Sequence, residues 1–170
     1  MAARINDSYW MYWGEKQVRI ATSTDLIHWK PLEDASGQPL VVLDHRDHQP
    51  DSGFPEVGPP PLLTPDGIVL LYDAKNSTDP KLTDLQLAPG TYSVLQAVFD
   101  PHTPTHLLSR TAAPVFQPEL PFERNGQYAA GTTFAEGLVW FHNSWWLYYG
   151  CADSFVGVAV SRAEANAATP

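Results

Sequence analysis

The chain is poor in cysteine and in positive charge. Cys151 is the single cysteine among 170 residues, which excludes an intrachain disulfide and any cysteine-based metal cluster. Ten Lys and Arg against nineteen Asp and Glu leave a net charge of −9, so the electrostatic footprint of a nucleic-acid or anionic-membrane partner is missing. The opening residues MAARINDSYW contain no apolar segment of a signal peptide, and no apolar run approaches membrane-spanning length. On that basis a cytoplasmic location is expected, unless a signal peptide lies upstream of these residues. Convincing amphipathic helices are also lacking: Ser161 to Ala168 offers at most a terminal turn, without an apolar face. No Gly-x-x-x-x-Gly-Lys phosphate loop and no Ser-His-Asp arrangement is suggested, and neither a metal nor a cofactor is expected.

What the chain has in abundance is the vocabulary of strands and turns. Six Trp, seven Tyr and seven Phe are interleaved with 16 Pro and 11 Gly, a mixture that suits short β-strands joined by tight turns. An internal repeat organises them. Trp10 to Gly14 (WMYWG) is followed by Val18 to Ser23 (VRIATS), and Trp146 to Gly150 (WLYYG) by Val156 to Ser161 (VGVAVS). A looser copy pairs Val69 to Ala74 with Tyr92 to Phe99. Each copy reads as a hairpin, with small Ala and Ser on the second strand permitting close sheet packing. One antiparallel sheet per repeat is the pattern of a β-propeller; a β-sandwich with similar hairpins is the alternative, disfavoured by the shared A-x-S element. Three hairpins do not close a ring. Either Leu107 to Phe116 with the N-terminal residues forms a fourth blade, or the chain is part of a larger propeller, and the second is favoured because a blade begins almost at once at Tyr9-Trp10.

Residues 51–63, DSGFPEVGPPPLL, set Glu56 on a stiff arm. Proline fixes its own φ and pushes the preceding residue to extended geometry, so Phe54 to Pro61 cannot be helical. Such a segment is either a proline-rich turn entering a strand or an acid held in place for chemistry. Glu136, in TTFAEGLVW, is a second carboxylate of interest, placed inside an otherwise apolar strand.

Several runs together resemble glycoside hydrolase family 130: WMYWGEKQVRIATSTDLIHW (residues 10–29), GPPPLLTPDGIVLLYDAKN (58–76), GQYAAGTTFAEGLVWF (126–141) and WWLYYGCADSFVGVAVS (145–161). The resemblance covers most of the chain, but only the C-terminal part of the family. It implies an all-β fold, here a partial five-bladed β-propeller with about three blades in a single unit of residues 1–170. It also implies inverting action on β-mannosides, either by hydrolysis or by phosphorolysis. The N-terminal blades, with the aspartate that serves the phosphorylases as proton donor, have no counterpart.

The resemblance sharpens the question about the arm. Phosphorylases carry a basic stretch before the Gly-Pro-Pro element, where Glu56 stands here. A carboxylate would repel phosphate and suits activation of water, so Glu56 and Glu136 are the expected catalytic pair. An inverting pair must admit a water, at a separation of about 6.5–9.5 Å, with burial raising the pKa of one member. The resemblance further marks Asp153, Lys75 and Asn76 as substrate-binding residues facing an oligosaccharide. Asp51 and Ser52 are weaker. For each, an ordinary turn or loop role competes; for Asp153 an Asx-turn is the stronger reading from sequence alone.

His45, Asp47 and His48 fit no strong zinc spacing and read as a solvated loop, while Asp25 in S-x-D-L-x-x-W is expected to bond backbone amides of a blade's outer turn. Trp10, Trp13, Trp146 and Tyr148 read chiefly as packing between blades, and Phe134 and Trp140 flank Glu136. Three functions stay open: a β-mannoside hydrolase, inactive alone; a phosphorylase using inorganic phosphate; and a non-catalytic glycan-binding or degenerate propeller fragment. Uncovered blade faces would favour self-association.

Overall fold

The computed structural model describes residues 4–162, so the expected terminal turn lies, from residue 163 onward, outside the described residues. Among those residues the fold is all-β, with three antiparallel sheets and one short 3-10 turn at Pro121–Glu123. Among the described residues no helix is long and apolar enough to cross a membrane. The first sheet holds β1 (Tyr9–Trp13), β2 (Val18–Ser23), β3 (Lys30–Pro31) and β4 (Val41–Leu43), with β2 pairing all three others. The middle sheet runs β5 (Phe54–Val57), β7 (Gly67–Lys75), β8 (Tyr92–Phe99) and β9 (Leu107–Arg110), with β6 (Leu62–Thr64) also on β7. The third comprises β10 (Thr133–Phe141), β11 (Ser144–Cys151) and β12 (Phe155–Arg162) in that order.

The three hairpins expected from the repeat are β1–β2, β7–β8 and β11–β12, all antiparallel. Leu107 to Phe116 does not found a further blade. Its strand β9 is the outer strand of the middle sheet, paired with Ala97 to Phe99, and Phe116 bridges back to Val94 in the same sheet.

The middle sheet is the wall on which the rest is built, because side chains alternate between its faces. Ile68, Leu70, Tyr72 and Ala74 on β7 stand beside Phe99, Ala97, Leu95 and Ser93 on β8. All but Ser93 join the core cluster with Tyr12, Val18, Ile20 and Leu43 of the first sheet. Tyr12 and Phe99 pack with centroids 4.7 Å apart, and each buried side chain of this size stabilises the fold by about 2 kcal/mol. The opposite face carries Asp73 and Lys75, and it turns toward β10.

Polar anchors pin this wall. Asp51 is fully buried and accepts hydrogen bonds from Arg46 Nε, Arg110 Nη1 and Tyr72 Oη. Asp25 behaves as its motif suggests, accepting from the amides of Ile27 and His28. At the far side, β12 leaves Phe155, Val156, Val158 and Val160 exposed.

Candidate active site

The arm is the fifth strand. Phe54 to Val57 pair antiparallel with β7, matching Phe54 to Lys75 and Glu56 to Asp73. Directly opposed residues of an antiparallel pair present their side chains to the same face. Phe54, Glu56, Asp73, Lys75 and, through the β7–β8 register, Tyr92 therefore share the face turned to β10. The arm is tied down at its other edge as well: Glu15 and Glu56 form an antiparallel bridge, and the Val57 amide donates to the Gly14 carbonyl at 3.2 Å.

Glu136 arrives from the third sheet by a different device. The β10–β11 register slips between Ala135 and Gly137, so Glu136 is the extra residue of a β-bulge. Such bulges re-aim a side chain and interrupt the ladder. Glu136 is exposed, and its charge reaches both Glu56 and Asp73. The structure thus sets the two expected glutamates within reach of each other's charge and adds two carboxylates not expected from the sequence, Glu15 and Asp73.

The electrostatics follow from this crowding. Partial burial pushes the Glu56 carboxyl above the usual range, and the negative charges of Glu15 and Glu136 push in the same direction. Asp73 has no solvent exposure. Burial drives its carboxyl up to about 8, against the hydrogen bond it accepts from the Ala135 amide at 2.7 Å, with Glu56 and Glu136 adding to the rise. Its second oxygen, Oδ2, is buried without a hydrogen-bond partner. Gly58 lets the arm close on this group. A Cβ there would stand 3.0 Å from the Leu71 carbonyl oxygen, 3.2 Å from that of Ala135 and 3.3 Å from Asp73 Oδ2.

Aromatic side chains and a lysine line the same face. Lys75 Nζ lies 5.4 Å from the Phe54 ring centroid and 5.1 Å from that of Tyr92, within cation–π range. Tyr92 also neighbours Phe134 and Tyr128, at 6.0 and 6.1 Å. Its hydroxyl is raised to about 12 by burial first, then by Glu56, Tyr128, Glu15 and Asp153. Asp153 is exposed, with φ +54° in the turn after β11. That turn is tied to the Tyr128 loop by the Gln127 amide donating to the Ala152 carbonyl.

Asn76 must be corrected. It is fully buried. Its Oδ1 accepts from Ser52 Oγ, Thr83 Oγ1 and the Asp84 amide, while Nδ2 donates to the carbonyls of Asp84, Leu87 and Ala88. An amide engaged in this way has no donor left for a sugar; it organises the loop between β7 and β8. Ser52 and Asp51 likewise serve the interior, Ser52 by accepting from the Ser77 amide and Asp51 by holding two arginines. A cleft of about 950 Å³ elsewhere is lined by apolar residues such as Trp10, Trp29, Pro60 and Leu138 and contains none of the clustered carboxylates.

Two carboxylates with raised proton affinity, Glu56 and Asp73, beside aromatic rings make an acidic site with the elements that acid–base chemistry uses. The family profile described as beta-1,4-mannooligosaccharide phosphorylase matches residues 1–165, and the chain belongs to glycoside hydrolase family 130. A crystal structure of a glycosyl hydrolase from Bacteroides ovatus is 46% identical with a TM-score of 0.91, covering 95% of this chain and 44% of that one. A second structure comes from work describing how family 130 of mannoside phosphorylases contains glycoside hydrolases that target β-1,2 mannosidic linkages in Candida mannan. It is 43% identical with a TM-score of 0.92, covering 99% of this chain and 46% of the other. The 1,2-beta-oligomannan phosphorylase of Thermoanaerobacter sp. (strain X514) is 26% identical over 198 residues, covering 89% of this chain and 63% of the relative. The chain thus spans about half the length of the solved relatives it matches.

Proposed function

We propose that this chain forms the acidic half of a β-mannoside-cleaving site in a five-bladed propeller, its three sheets being three consecutive blades. The reaction is inverting hydrolysis: the attacking water gives its proton to Glu56 as its oxygen bonds the anomeric carbon, the glycosidic C–O bond breaks, and the leaving sugar oxygen takes a proton from a general acid on the part of the propeller this chain does not span. The observation that carries this reading is the convergence of Glu15, Asp73 and Glu136 on Glu56. Burial and like charge give Glu56 the proton affinity a general base needs, and the same charges disfavour an incoming phosphate dianion. Lys75, Tyr92 and Tyr128 offer a rim on which a sugar ring can stack and bond, and Asp153 adds an acceptor for sugar hydroxyls at its edge.

Phosphorolysis is the second reading, favoured by the description of the matching family profile and by the name of the Thermoanaerobacter relative. One experiment separates them. The chain is assayed alone and fused to the portion of the Bacteroides ovatus relative that it does not cover, on β-1,2-mannobiose, with and without inorganic phosphate. Free mannose released by the fusion without phosphate supports hydrolysis. Mannose 1-phosphate formed only when phosphate is present overturns it, as does a folded fusion that cleaves nothing.

A further inference from the structure

Asp73 is the one buried acid at this site that no step of the proposed hydrolysis uses. It stands directly opposite Glu56 across the β5–β7 ladder. One of its oxygens accepts from the amide of Ala135, the residue immediately before the bulge that carries Glu136. The other oxygen is sealed from water without a partner, and the arm rests on it at Gly58. A single side chain therefore touches the strand bearing one glutamate and the bulge bearing the other.

We propose that Asp73 is a positioning residue for the acidic site, pinning the Glu136 bulge with one oxygen and keeping a proton on the other beneath Glu56. Charged and titratable groups reach it from two of the elements packed against it: Glu56 from β5 and Glu136 from β10. On β8 the residue opposite it is Val94, which supplies no countercharge. An ionised Asp73, itself closed off from water, would thus face two carboxylates, and the proton is the neutralising group available to it. Glu56 then meets one buried neighbour that is neutral while it works. When Asp73 ionises at higher pH, Glu56 gains a third negative neighbour and holds its own proton more tightly.

This inference concerns the same site as the proposed hydrolysis, but it rests on that reading only for its purpose; its test uses no sugar. The carboxyl carbons and backbone amides of the full 170-residue chain are followed by NMR from pH 4 to pH 10, in the wild type and in Asp73→Asn. The variant retains an acceptor for the Ala135 amide. In the wild type the Asp73 carboxyl should titrate near 8, and the Ala135 amide proton should move with the same midpoint. The Glu56 carboxyl should show a second inflection there, and Asp73→Asn should abolish both responses while preserving the remaining spectrum. Asp73 titrating below pH 5, or a flat Ala135 trace between pH 6 and pH 9 in the wild type, overturns the proposal whether or not the variant folds. Absence of mannoside cleavage would sink the hydrolytic reading and leave these traces unchanged.

Discussion

Replacing Asn76 by alanine tests whether this side chain builds the site or touches the substrate. The carboxamide is fully buried. Its oxygen accepts at 3.0, 3.2 and 2.8 Å from Ser52, Thr83 and the Asp84 amide, and its nitrogen faces three carbonyls at 3.0 to 3.2 Å. Two amide hydrogens serve those three carbonyls, so one bond is shared. A made hydrogen bond contributes about 1 kcal/mol net, but a buried partner left unsatisfied costs about 1–3 kcal/mol. Alanine strands several partners at once, and water entering the loosened loop relieves some of them. The expected loss is about 3–5 kcal/mol, at the upper end for a single substitution. Urea unfolding followed by tryptophan fluorescence should show the midpoint falling by about 1–5 M, given a typical slope of about 1–3 kcal/mol per M.

Asn76→Asp sharpens the same test. It keeps the three acceptor contacts but turns a buried carboxylate oxygen toward the three carbonyls. It should be at least as costly as alanine at pH 7 and should regain stability as the pH falls and the new group is protonated. A loss below about 1 kcal/mol for Asn76→Ala would refute the reasoning. If β-mannoside binding then fell while stability held, the sugar-facing role first expected of Asn76 would be the correct one.

Other consequences of the site are open to measurement. Glu56→Gln in the active fusion should lower turnover by at least about 10²-fold with little change in fold, measured as mannose release; unchanged turnover would remove Glu56 from the chemistry. Asp73 holds its proton more tightly folded than unfolded, so its contribution to stability is full below about pH 4 and is lost as the pH rises through about 8. Unfolding free energy should accordingly fall between pH 5 and pH 8 in the wild type and flatten in Asp73→Asn. Glu123 acts in the opposite sense. Its burial favours the proton, but hydrogen bonds from Tyr149 and from the Leu120 and Glu119 amides outweigh this and hold its pKa down, so its stabilisation fades as the pH drops toward the acid range. Gly58→Ala would press a methyl group against two backbone carbonyls that cannot retreat; a loss of about 1–3 kcal/mol is expected by thermal or urea unfolding.

The hairpins were legible because alternation and turn residues are local signals, and the β1–β2, β7–β8 and β11–β12 pairs fall where those signals put them. Glu56 and Glu136 stood out for a similar reason: one acid lies on a proline-stiffened arm and the other interrupts an apolar strand. Asp73 did not stand out, since a lone acid within VLLYDAK has no meaning until the register sets it opposite Glu56. Glu15 was hidden in a turn whose bridge to the arm spans some forty residues of sequence. Asn76 was misread by adjacency. It follows Lys75, but neighbouring residues of an extended chain point to opposite sides, so Lys75 reaches the aromatic face while Asn76 turns into the loop. The strand Leu107–Arg110 could be recognised as a strand, but its membership of the middle sheet depends on a long-range pairing with β8.

Like charges at close quarters ordinarily move apart, and the arm is built so that they cannot. At its start, Asp51 is gripped by Arg46, Arg110 and Tyr72, and the Gly53 amide is bonded to the Lys75 carbonyl. At its end, Val57 is bonded to Gly14, and Gly58 is wedged against the Leu71 and Ala135 carbonyls. Tyr72 and Asp73 are adjacent on one strand and face opposite ways, so the residue that anchors Asp51 in the core is covalently joined to the acid beneath Glu56. Proline at position 55 removes one of the few backbone torsions left between these fixed points. With the backbone held at both ends, the charges of Glu15 and Glu136 cannot be escaped by displacing the strand, and they add to burial in raising the proton affinity of Glu56, as Glu56 and Glu136 do for Asp73. The core on one face of the middle sheet is thus the physical source of the acid–base character on the other.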